Sequence, residues 1–223
     1  MNKQIVLLGM HRSGTSMVAG VLEKLGINMG DKLGGKAVSN PLGHFEDASF
    51  VHLNEAILSK AGGNWSNPPS VRSILELENI FSDRISKLIK RKNKKELWGW
   101  KDPRTCLTMS LYEKHLTNFY IIVCSRDKKD ICKSLKKRNG FSPEKSMKLI
   151  LDYELRIDSF LRSDRRIRRL FIKYEDALEN PSPNIRRLVD FLQLEEDLDK
   201  FVNARDFILP REKLEELVFN FTS

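Results

Sequence analysis

The residues best equipped for chemistry at the start of this chain are Arg12 and Ser13, set between Gly9 and Gly14, and Thr15 and Ser16, which follow Gly14, in the run KQIVLLGMHRSGTSMVAGV from Lys3 to Val21. A glycine-bracketed turn that opens a helix leaves backbone N–H groups unpaired beside the positive end of the helix dipole, and such a turn binds phosphate-like anions. The glycine spacing is that of a Walker A loop, G-x-x-x-x-G-K-[ST], with one departure. Thr15 stands where the lysine belongs, and the cation comes earlier, as Arg12. In a nucleoside triphosphate site that lysine reaches the β- and γ-phosphates while Mg²⁺ neutralises the polyanion, so its replacement argues against ordinary ATP hydrolysis.

A sulfuryl group carries less charge than a terminal phosphoryl group, and a guanidinium, hydroxyls and loop amides can stabilise its transfer without metal. The run His11-Arg12-Ser13-Gly14-Thr15-Ser16 resembles the 5′-phosphosulfate loop of sulfotransferases that use 3′-phosphoadenosine 5′-phosphosulfate (PAPS). Two further stretches resemble that family. Trp100-Lys101-Asp102-Pro103-Arg104 follows a strand, and the resemblance implies that Lys101 supports the transferring sulfuryl and its bridging oxygen. The apolar FYIIVC run, Phe119 to Cys124, leads to Arg126 and then Ser134, as in the family's 3′-phosphate site. An Arg fork and a hydroxyl two turns along a helix can converge on one phosphate, and Arg138, a turn beyond Ser134, is placed to join them. A late Tyr174-Glu175-Asp176 element also fits the pattern, with Tyr174 bracing the nucleotide loop.

Transfer to a hydroxyl needs a base for the acceptor proton. In bacterial-type relatives a Gly-aromatic-aromatic-Glu segment supplies a glutamate. Carried over to Gly43-His44-Phe45-Glu46, that names Glu46, with His44 standing where an aromatic is usual. Glu46 and His44 both stay open as the base, and the competing role for Glu46 is to cap the helix that follows. Trp65 is a candidate for the acceptor pocket or for packing under its own loop.

These residues need a scaffold. Short apolar runs at Ile5–Leu8, Leu97–Trp100 and Phe119–Cys124 read as core strands, and Leu170–Lys173 as a fourth strand. Helical spacing is expected over Ser16–Leu25, Ala48–Lys60, Val71–Ile89, Thr105–His115, Asp127–Arg138 and from Pro143 to about Arg162. Closing helices are expected at Pro183–Leu192 and Leu198–Val202, with another from Pro210. Alternating strands and helices predict a three-layer α/β/α fold with a central, mostly parallel sheet, as the resemblance also implies. Loops are expected at Gly26–Asn40 and Gly62–Pro69. The basic run Lys90–Lys95 reads as a solvated helix end.

The chain's 223 residues suit one domain over 1–223, and 40% hydrophobic with 31% charged residues describes a globular protein. The run-up to the first strand leaves no room for a signal peptide and no apolar run is long enough to span a bilayer, which predicts a cytoplasmic protein. Three cysteines, Cys106, Cys124 and Cys132, lack metal-ligand spacing and read as reduced packing residues. A net charge of +9 calls for an anionic partner, which PAPS supplies in part. The expected reaction is sulfuryl transfer from PAPS, without metal, to a hydroxyl or amine of a saccharide or glycolipid. The alternatives are a P-loop nucleotide kinase with an atypical loop, which would require Mg²⁺, and a nucleic-acid-binding protein. The basic clusters are dispersed, with little aromatic interleaving, and match no nucleic-acid motif.

Overall fold

A computed structural model of the chain describes residues 2–35, 42–210 and 213. Four parallel strands, β1 (Lys3–Leu8), β2 (Leu97–Lys101), β3 (Phe119–Ser125) and β4 (Arg169–Lys173), form one sheet in the order β2-β1-β3-β4. Ten α-helices are described around it: α1 (Thr15–Lys24), α2 (Ala48–Lys60), α3 (Val71–Leu75), α4 (Glu78–Lys92), α5 (Thr105–Tyr112), α6 (Lys128–Asn139), α7 (Pro143–Ser163), α8 (Tyr174–Glu179), α9 (Pro181–Leu192) and α10 (Leu198–Phe207).

Strand alternation sorts the core into two layers. Val6 and Leu8 face the side packed by α2 to α7, together with Trp98, Trp100, Ile121 and Val123. Ile5 and Leu7 face the other side, with Tyr120 and Ile122, against α1, α9 and α10. Both faces of the sheet are thereby covered, giving the expected three-layer fold. Helix α1 lies on one face and α6 on the other. The chain leaves β1 and β3 in opposite directions along the sheet, so the loops after these neighbouring strands flank a crevice at the carboxyl edge, where open α/β sheets bind ligands.

The helices depart from the sequence reading in three places. Val71–Ile89 is two helices, because the chain tightens at Leu77, whose N–H bonds the Ile74 carbonyl; the turn re-aims α4 so that Phe81, Ile85 and Ile89 reach the core. The α-helix from Thr105 ends at Tyr112 and closes in a 3₁₀ turn over Glu113–His115. The basic run Lys90–Lys95 is not wholly solvated: Lys92 is buried and pairs with Asp47 and Asp31. The expected terminal helix after Pro210 and the loop's end around Asn40 lie outside the described residues. Among the described residues, no helix is long and apolar enough to cross a membrane.

Candidate active site

The loop after β1 is built by close approach. A Cβ on Gly9 would stand 2.7 Å from the Ser13 Oγ and 2.8 Å from the Cys124 carbonyl, so only glycine lets the loop turn against β3. Gly14 precedes α1 at φ 89°, and a side chain there would strike the Tyr174 ring. Tyr174 therefore braces the loop, and its ring also carries the Arg126 guanidinium, 4.5 Å from the centroid. Arg12 itself is left-handed, at φ 72°, an uncommon conformation for a residue with a Cβ and one that accumulates at functional sites.

The two predicted anion cradles meet. Arg12 Nε donates to Ser134 Oγ at 2.7 Å, and Arg126 Nη1 donates to the Arg12 carbonyl at 3.3 Å. Burial, reinforced by Arg138 and Arg126, lowers the Arg12 pKa to about 10. Ser13 Oγ and Arg126 Nε are buried without a protein partner, as donors reserved for an anion would be. Thr15, the first residue of α1, is buried, and Ser16 Oγ donates to the His44 carbonyl at 3.4 Å.

Lys101, at the end of β2, is buried, and its Nζ lies 2.7 Å from Glu46 Oε1 and 3.2 Å from Ser16 Oγ. Burial lowers the Lys101 pKa against the opposing pull of Glu46. Glu46 also faces Arg104, 3.8 Å from Oε2. It does not cap α2. Asp47 does, accepting from the Ser49 amide, and a left-handed Phe45 (φ 52°) swings Glu46 away from the helix end and toward Lys101. Phe45 is fixed by burying its ring against Phe207. His44 offers its carbonyl rather than its ring to Ser16, and burial lowers its pKa, leaving the imidazole neutral at pH 7.

A layer beneath holds these groups in place. Asp102 is wholly buried and accepts from the Arg104 amide and guanidinium, so it orients Arg104 and not Lys101. Its other oxygen accepts from Asn54, which also bonds Thr105, Thr108 and Tyr112 and thereby spends its full amide capacity. Sequence reasoning missed Asn54, because a polar residue mid-helix reads as solvent-facing until its neighbours are known. It missed the Lys92–Asp47 pair for the same reason: the partners are 45 positions apart. Against burial, the Lys92 ammonium and the Asp31 and Ser49 amides hold the Asp47 carboxyl below its usual range.

His11 is buried between Trp65 and Tyr153, its ring centroid 4.4 Å from that of Trp65. Burial and the surrounding Arg104, Arg138, Lys101 and Arg12 push its pKa well below the ordinary histidine value. Arg138 stands with its guanidinium 5.4 Å from the Trp65 centroid. The cysteines are unpaired, and Cys106 Sγ accepts from the Gly9 amide at 3.2 Å.

Arg12, Arg126, Lys101, Arg104 and Arg138 thus face one crevice at the carboxyl ends of β1, β2 and β3, with Glu46 as the carboxylate beside Lys101. Such a site can hold a ligand with two anionic groups and present a carboxylate to a second molecule.

Residues 4–198 match the sequence profile described as the sulfotransferase family. Among solved structures, the chain is similar to the sulfotransferase domain of the olefin synthase of Synechococcus PCC 7002, with a TM-score of 0.59 at 16% identity, covering 100% of this chain and 95% of that one. It is also similar to the sulfotransferase domain of the curacin biosynthetic pathway (TM-score 0.57, 17% identity, 90% and 77% covered). A third is sulfotransferase STF1 of Mycobacterium tuberculosis H37Rv (TM-score 0.55, 12% identity, 99% and 77% covered). At these identities the structural likeness establishes the shared fold. No curated protein sequence matches the chain.

Proposed function

The chain belongs to the sulfotransferase family, and from that premise we propose that its donor is PAPS and its acceptor a hydroxyl, or an amine, of a saccharide or glycolipid. The observation that carries the donor reading is the direct contact between the two arginine-bearing loops, Arg12 with Ser134 and Arg126 with the Arg12 carbonyl. A ligand with a phosphosulfate at one end and a 3′-phosphate at the other matches two adjoining cradles of positive charge. The buried, unpartnered Ser13 Oγ and Arg126 Nε fit such a ligand.

In this reading the loop amides of His11–Ser16, the Ser13, Thr15 and Ser16 hydroxyls and the Arg12 guanidinium hold the phosphosulfate, while Arg126 and Ser134 hold the 3′-phosphate. The acceptor oxygen forms a bond to sulfur as the bond from sulfur to the phosphate oxygen breaks. Adenosine 3′,5′-bisphosphate leaves, and the acceptor proton passes to Glu46. Lys101 offsets the negative charge that develops on the bridging oxygen. The buried ammonium also fixes the Glu46 carboxylate, so base and charge stabiliser are positioned as a pair before substrate arrives. Alignment and fixed charge supply most of the acceleration, since the protein forms no covalent intermediate.

Calorimetric titration with adenosine 3′,5′-bisphosphate, run beside ATP with Mg²⁺, tests the donor. Saturable binding of the bisphosphate in the presence of a chelator is expected. Binding of ATP with Mg²⁺ alone would reject the assignment.

A further inference from the structure

Arg138 is a cation left over once the donor is accounted for. Lys101 is paired with Glu46, and Arg104 with Asp102 and Glu55. Arg12 and Arg126 face the donor. Arg138 makes no ion pair among the described residues; its Nε donates to the Asn139 side-chain amide. Burial lowers its pKa against the pull of Glu46, which stands beyond ion-pair distance, and Arg104 adds to the lowering.

The surroundings are those of a ring-binding shelf. The Trp65 carbonyl is fixed by the Tyr153 hydroxyl at 3.0 Å, and the ring packs on His11 and against Phe141, 5.8 Å between centroids. The Lys145 ammonium stands 3.9 Å from the Phe141 centroid, adding a second cation to the rim. Trp65 is half-buried, whereas Trp98 and Trp100 are fully covered. A half-exposed indole with a guanidinium over it that makes no ion pair recognises a ring that carries an oxyanion.

We propose that Trp65 and Arg138 form the acceptor subsite, and that the acceptor is an acidic saccharide whose ring lies on Trp65 and whose carboxylate or sulfate is held by Arg138. This rests on the sulfuryl-transfer reading of the same crevice. It assigns Arg138 to the acceptor and not to the donor's 3′-phosphate.

The test uses Trp65 fluorescence in the full chain saturated with adenosine 3′,5′-bisphosphate, with Trp65→Phe as the control that assigns the signal. The probes are methyl β-glucuronide, glucose 6-sulfate and, as the neutral twin, methyl β-glucoside. At least one acid should saturate with a Kd about 10-fold below that of the neutral sugar, the difference expected for one charged hydrogen-bonded contact. Arg138→Gln should bring the sugars to parity, Arg138→Lys should keep part of the preference, and bisphosphate affinity should stay within about 2-fold in both. Whether the acid that wins is the uronate or the sulfate decides the anion. Equal affinity for all three sugars, or no saturation by any, overturns the subsite while leaving the donor reading intact. Loss of bisphosphate affinity by about 10-fold in Arg138→Gln would place Arg138 on the donor and likewise overturn it. A wild-type chain that fails to bind the bisphosphate sinks both readings.

Discussion

The Arg12 guanidinium donates to the Ser134 hydroxyl across 2.7 Å, joining residues 122 positions apart and linking the loop before α1 to α6, helices that pack on opposite faces of the sheet. This bond ties the start of α1 to the middle of α6 at the point where the chain leaves β1 and β3 in opposite directions. Arg126 reinforces it by donating to the Arg12 carbonyl. In the proposed reading a ligand anion meets both loops at once, so binding and alignment rest on the same few side chains.

Arg126→Ala should weaken adenosine 3′,5′-bisphosphate by about 10- to 100-fold in calorimetric titration, the loss of a charge-assisted fork. Arg12→Ala should show instead in turnover, lowering kcat by at least about 10-fold through loss of charge at the transferring group. Small and equal effects from the two changes would contradict the division of roles.

The Lys101–Glu46 pair predicts a second contrast. Lys101→Met and Glu46→Gln should each lower kcat by about 10²- to 10³-fold, with bisphosphate binding nearly unchanged. His44→Ala should cost far less, because its carbonyl makes the contact to Ser16. Single-turnover rates with radiolabelled PAPS and a fixed acceptor would read this, and a His44 defect as large as that of Glu46 would move the base to His44.

His11 makes stability depend on pH. Burial and four neighbouring cations hold its folded pKa below the value near 6.5 of the unfolded chain, so the unfolded state binds the proton first. The contribution is complete above pH 6.5 and is lost as pH falls below it, with a limiting slope of about 1.4 kcal/mol per pH unit. His44 titrates in the same direction and remains in the variant His11→Gln, so the difference between variant and wild type isolates His11. Urea unfolding from pH 5 to 8 should give curves that diverge only on the acid side, and parallel curves would refute the claim.

Asp47 and Lys92 are both buried and form one ion pair. Asp47→Asn should cost about 3 kcal/mol, because Lys92 keeps its charge inside the protein with Asp31 as its remaining carboxylate. The double change Asp47→Leu with Lys92→Met should recover part of that and retain the loss of the α2 cap, worth about 1 kcal/mol. Thermal denaturation measures both, and an Asp47→Asn cost within about 0.5 kcal/mol would show the pair to be incidental.

The strands and the Gly9–Gly14 loop were legible in the sequence because their signals are local, short apolar runs and glycine spacing, whereas Lys101, Arg126 and Ser134 were named only through the resemblance. The same local signals failed where the deciding neighbour is distant. A uniform apolar period over Val71–Ile89 hides the turn at Leu77, whose direction is set by the core it must reach. Glu46 and Asp47 are adjacent acids ahead of one helix, and nothing in their order says which caps it. The left-handed Phe45, anchored by Phe207, decides that by turning Glu46 onto Lys101.

Sequence alone determined the fold class and the presence of a glycine-bracketed turn after β1 without the nucleotide-kinase lysine, since both follow from periodicity and spacing along the chain. Tertiary structure decided which charges are paired. Lys101 meets Glu46 and Lys92 meets Asp47 only when the fold brings distant segments together, whereas Arg104 pairs with Asp102 two positions away in the same turn. That pairing leaves Arg138 over Trp65 with no carboxylate within ion-pair distance among the described residues, because electrostatic neutralisation depends on distances of a few ångström that no linear order encodes.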